Sequence, residues 1–130
     1  MKKFNLILVS LFLVMIFSCK AQQILQPNLA VKILGTWISN DEPEYKIEFT
    51  NNGLQREYIN NKLQQEVYSY KLISTCGNNT RNNNELFLKI FTNENDATCD
   101  LLNGIHTDSN GVKTLSITTE RGKLYLFTKQ

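Results

Sequence analysis

The sequence predicts an all-β protein, a small antiparallel up-and-down β-barrel of about eight strands. Three observations carry that reading. Apolar and polar residues alternate with period two, most clearly where Tyr45, Ile47 and Phe49 interleave with Lys46, Glu48 and Thr50. Short Asn/Gly-rich stretches punctuate these segments, as hairpin links do. No convincing helix lies among the strands. A two-sheet sandwich competes, but sequential hairpin links favour an up-and-down barrel. Closure removes exposed edges, and about eight strands leave room for side chains or one small ligand inside.

With 130 residues the chain has room for one domain. Lys2 and Lys3 precede an apolar run from Leu6 to Phe17 that only Ser10 interrupts. A positive start and an apolar run too short for a comfortable membrane span mark a signal peptide. Ile16-Phe17-Ser18-Cys19 resembles the bacterial lipobox, in which an aliphatic and a small residue precede a cysteine that becomes lipidated. That resemblance implies cleavage before Cys19 and acylation of its thiol, since more than one acyl chain is needed for stable anchoring. The expected organisation is a lipoprotein signal over 1–18, a lipidated cysteine and tether over 19–32, and a barrel domain over 33–130. The expected location is the bacterial cell envelope, on the outer membrane, with membrane contact through the lipid anchor.

Loss of Lys2 and Lys3 with the signal leaves 12 of the 14 Lys+Arg against 12 Asp+Glu. A net charge of zero gives no electrostatic reason to expect a nucleic acid or an anionic membrane surface as partner. Of the three cysteines, Cys76 and Cys99 remain once Cys19 is lipidated, and in an oxidising compartment they are expected to form a disulfide. A bridge closing a loop of this size contributes about 3 kcal/mol in the chain-entropy view. Metal binding fits poorly, because two distant cysteines and the lone His106 do not make a ligand cluster.

Taken in order, Lys20–Pro27 reads as a polar tether and Asn28–Lys32 as a helical turn capped by Asn28. Leu34-Gly35-Thr36-Trp37 opens the first strand, with Gly35 permitting close backbone approach and Trp37 plugging one end of the core. Ser39–Pro43 is turn-like. A strand from Glu44 to Thr50 meets the hairpin signal Asn51-Asn52-Gly53, and strands over Leu54–Ile59 and Leu63–Ser74 flank Asn60-Asn61. Thr75–Asn84, with Gly77 and five asparagines, reads as a loop. Glu85–Thr92 is apolar on both faces, as in a strand covered on two sides. Asn93–Thr98 reads as a second loop and Cys99–Thr107 as a weaker strand. Turns at Asp108–Gly111 and Glu120–Gly122 set off the last strands, Val112–Thr119 and Lys123–Lys129.

The chemistry-bearing residues are sparse. His106 and Asp108 would share a strand face, but no motif places a nucleophile with them. No Gly-rich phosphate loop, H-E-x-x-H or C-x-x-C occurs. The expectation is therefore binding rather than catalysis, with no cofactor. Aromatic residues on strands either fill the barrel or line a pocket, and Tyr58, Tyr68, Tyr70 and Phe87 form the candidate ligand-binding set. Arg56 falls in phase with Leu54 and Tyr58 and so is expected to point inward, where a charge needs a partner or an anionic ligand.

With Leu34-Gly35-Thr36-Trp37 on the first of eight strands and a basic residue closing the last, the chain resembles the lipocalin-like (calycin) barrels. More narrowly, it is similar to short bacterial lipocalin-like lipoproteins. The resemblance implies that Trp37 packs under the barrel beside Gly35, with Lys129 lying across it where the family has an arginine. Thr107-Asp108 stands as a fragment of the family's middle motif. The implied activity is binding of a small hydrophobic molecule in the barrel mouth. The alternative is a protein-interaction module, similar to disulfide-stapled periplasmic barrels that inhibit lysozyme, with Thr75–Asn84 facing an envelope protein.

Overall fold

The computed structural model describes residues 29–80 and 86–130. The predicted signal peptide, Cys19 and most of the tether lie outside those residues. A single turn of helix, α1 (Leu29–Lys32), leads into β1 (Gly35–Ser39), β2 (Tyr45–Phe49), β3 (Leu54–Ile59) and β4 (Lys62–Ile73). There follow β5 (Thr75–Cys76), β6 (Asn79–Thr80), β7 (Leu86–Asn93), β8 (Asp96–Thr107), β9 (Lys113–Thr118) and β10 (Leu124–Lys129). Eight strands close into an antiparallel barrel in the order β1-β10-β9-β8-β7-β4-β3-β2, while β5 and β6 pair only with each other. The barrel is thus an up-and-down meander sealed by the pairing of its first and last strands.

Turn chemistry sets the hairpins. Asn60 and Asn61 both adopt positive φ, 51° and 63°, the backbone that a two-residue link between β3 and β4 requires. Two predicted loops differ from expectation. Asn93–Thr98 shrinks to a two-residue turn, because Asn93 already pairs with Asp96 and Phe91 with Ala97. Its polar side chains are exposed along a ladder that shifts register between Phe91 and Asn93, so polarity there marks a wet surface, not a break. Within Thr75–Asn84, Thr75 pairs with Thr80 and Cys76 with Asn79 in a small hairpin. A disulfide joins Cys76 to Cys99, with Cα atoms 6.3 Å apart, and pins this hairpin against the outside of β8. Phe87, on the outward row of β7, is buried in the same crevice as that bridge, which explains why β7 is apolar on both faces.

The inward rows build one core cluster, with Ile33, Trp37, Phe49, Leu88, Leu102 and Leu115 fully buried. One end of the barrel is sealed. Ile33 follows α1 across the opening, and Trp37 donates its indole Nε1–H to the Ile33 carbonyl at 2.6 Å. Lys129 pairs with Trp37 across the closing seam, and its Nζ lies 4.4 Å from the Trp37 ring centroid while donating to the Leu34 carbonyl. Gly35 has φ +103°, and a Cβ there would stand 3.0 Å from Lys129 Nζ. Only glycine meets both conditions without strain.

Candidate functional site: the open mouth of the barrel

The opposite end is open. Its shape follows from the pairing of β2 with β3. Tyr45, Ile47 and Phe49 form the inward row of β2, and Gln55 lies opposite Phe49 and Glu57 opposite Ile47. Gln55 and Glu57 therefore turn into the barrel. Across the interior, Leu88 on β7 lies opposite Asp100 on β8, which brings a second carboxylate inside. These side chains line a cavity of about 330 Å³ that opens between the turns following β1 and β9. Ile47, Phe49, Leu88, Ile117 and Phe127 supply its apolar wall, and Ser39, Gln55 and Thr119 its neutral polar groups.

The electrostatics of the cavity are one-sided. Glu42, Glu57 and Asp100 line it, and among the described residues no lysine, arginine or histidine does. Burial holds the Asp100 carboxyl above its ordinary range; the backbone N–H of Glu120, 3.2 Å away, opposes that shift, and the Glu120 charge adds to it. Burial, with Glu57 beside it, pushes the Tyr45 phenol far above its usual value, so it stays neutral. Gln55 is only 5% exposed; its Nε2 donates to Glu57 Oε1 at 3.3 Å, and its Oε1 has no hydrogen-bond partner. At the rim the fully exposed Lys123 sits 4.4 Å over the Tyr125 ring. The hydrogen bond with Tyr125 raises its pKa, and the charges of Glu42 and Asp41 add to that.

The residues singled out from sequence are not gathered here. Arg56 points outward, a correction to its expected inward phase, and pairs with Glu48 at 3.5 Å. Tyr58 lies on the same outer face and donates to Glu48 at 2.8 Å. Tyr68 shares its row with Gln55, but its hydroxyl donates to Glu66 and it is not part of the cavity wall. Tyr70 packs edge-on against Phe49 at 5.0 Å and donates to the Thr50 carbonyl at 3.1 Å, so it fills the core. Phe87 lies on the outer face under the Cys76–Cys99 hairpin. Gly35, Trp37 and Lys129 meet at the sealed end, and Cys19 lies outside the described residues.

His106 is exposed, and Asp108 spends a carboxylate oxygen on the backbone N–H groups of Asn110 and Val112, closing a turn. Among the described residues no three His, Cys, Asp or Glu gather as they would around a metal ion. The sequence reading missed Gln55, Glu57 and Asp100. A signal for the first two existed in the turn length. Thr50 and Leu54 bond across Asn51–Gly53, so Gln55 must oppose Phe49 and share its face. No protein family, curated protein or solved structure matches this chain.

Proposed function

We propose that this barrel is a binding protein that takes a small molecule with an apolar body into its open mouth, and that it works without catalysing a reaction. The observation that carries this reading is the cavity itself. Its volume of about 330 Å³ reaches the lower bound, about 300 Å³, for pockets that enclose small ligands. It is walled by aliphatic and aromatic side chains and is sealed at the far end by Trp37, Ile33 and Lys129. A lipocalin-like kinship is part of the proposal, supported by Leu34–Trp37 and the lysine over the indole. So is anchoring in the bacterial envelope, supported by the Leu6–Phe17 run and the Ile16–Cys19 motif.

Titration with an environment-sensitive apolar dye tests the binding. Saturable uptake is expected, and Ile90→Trp, which fills the cavity from β7, should abolish it while leaving the fold intact. Absence of uptake together with a stoichiometric protein partner would favour the interaction module instead. For the anchor, Cys19→Ser should release the chain from the membrane fraction; continued pelleting would refute lipidation.

A further inference from the structure

We propose that the ligand of this mouth carries a cationic head, an alkylammonium-type group, on its apolar body. The inference deepens the binding reading and rests on it. The first observation is the sign of the wall. Glu57 on β3 and Asp100 on β8 both face inward, three strand steps apart around the barrel, with Glu42 nearer the rim. A carboxylate in a part-dry interior is costly unless an opposite charge joins it, and attraction between the two is stronger there than in water.

Among the described residues, no lysine or arginine supplies such a charge to the cavity. Arg56, next to Glu57 in sequence, is held on the outer face by Glu48. Lys123 stays in solvent over Tyr125, and Lys129 is at the sealed end, donating to the Leu34 carbonyl.

The second observation is independent of charge. Gln55 is buried in the cavity wall with its Oε1 unpaired. Its orientation is fixed, because rotating the amide would bring Oε1 against Glu57 Oε1 in place of the present Nε2 donor. The cavity wall thus holds an unpaired, buried acceptor beside a carboxylate, and buried acceptors are rarely left without a donor. An ammonium group offers three N–H donors and one positive charge, which answers both needs at once. Its alkyl chain has Ile47, Leu88 and Phe127 to lie against. A fatty acid would add a further negative charge to these groups, and a metal ion would find no gathered set of ligands among the described residues.

The test is a calorimetric titration of the purified full-length chain with octylammonium, octanol and octanoate, which differ only in the head group. Octylammonium should bind at least about tenfold more tightly than octanol, the gain expected of charge-assisted hydrogen bonds, and octanoate should bind most weakly. Glu57→Gln and Asp100→Asn should each erase most of that advantage, with a cooperative thermal melt of each variant showing that it folds. Equal affinities for the three, or a preference for octanoate, would overturn the cationic head and leave the binding barrel standing. Failure of all three, with no dye uptake, would overturn both.

Discussion

The two ends of this barrel are made of the same strands and solve opposite problems. At the sealed end the polar side-chain atoms that enter the interior are paired: the Trp37 indole donates to the Ile33 carbonyl, and Lys129 donates to the Leu34 carbonyl while lying over the indole. At the mouth, carboxylates line a cavity and the Gln55 amide oxygen is left unpaired. The sealed end is built for stability. The mouth accepts a stability cost that the sealed end avoids.

Breaking the sealed end should have the largest effect. Trp37→Ala removes a fully buried indole and is expected to cost about 3–5 kcal/mol, read as a drop in the denaturation midpoint at unchanged m-value. A cost near zero would mean that the end is not a plug.

Gly35→Ala should come next, at about 1–3 kcal/mol for a residue forced into this backbone conformation. Combining it with Lys129→Ala separates two causes. Relief in the double variant would assign the cost to the Cβ–Nζ contact, and no relief would assign it to φ.

The smallest effect, and one of opposite sign, belongs to the mouth. Asp100 has its folded pKa raised, chiefly by burial, so its contribution to stability is full below the unfolded value and is lost as pH rises through the folded value. Asp100→Asn should therefore raise the melting temperature at neutral pH. Asparagine keeps an oxygen for the Glu120 N–H, and the gain should vanish toward acid pH. A melting temperature lowered at neutral pH would show that the mouth stabilises its own charge.

The sealed end was readable in the sequence and the mouth was not, for a physical reason. Trp37 and Gly35 are choices that only one local structure tolerates, so the residues announce the geometry. β3 announces the wrong face. Leu54 and Tyr58 look like an inward row with Arg56 between them, yet Gln55 and Glu57 are inside. Hydrophobic phase predicts burial only where the interior is apolar, and this strand borders a part of the interior that is not. Asp100 was hidden differently: it stands in the predicted strand Cys99–Thr107, where a polar residue reads as part of a wet face. The Cys76–Cys99 pairing was readable from counting cysteines, whereas the hairpin that it pins was not, because two-residue strands leave no periodicity to detect.

The closing seam has a kinetic consequence. Every other ladder in the barrel joins strands that follow one another along the chain, apart from the short hairpin between β4 and β7. Closure instead waits on contacts such as that between Leu34 and Lys129, 95 residues apart. Local hairpins form quickly, whereas a contact across that span must first overcome the entropy of closing a long loop. Until β10 arrives, β1 and β9 stand as bare sheet edges able to recruit strands from other molecules. Vulnerability to aggregation is thus concentrated in a single late event, and the lysine over the tryptophan is the contact that ends it.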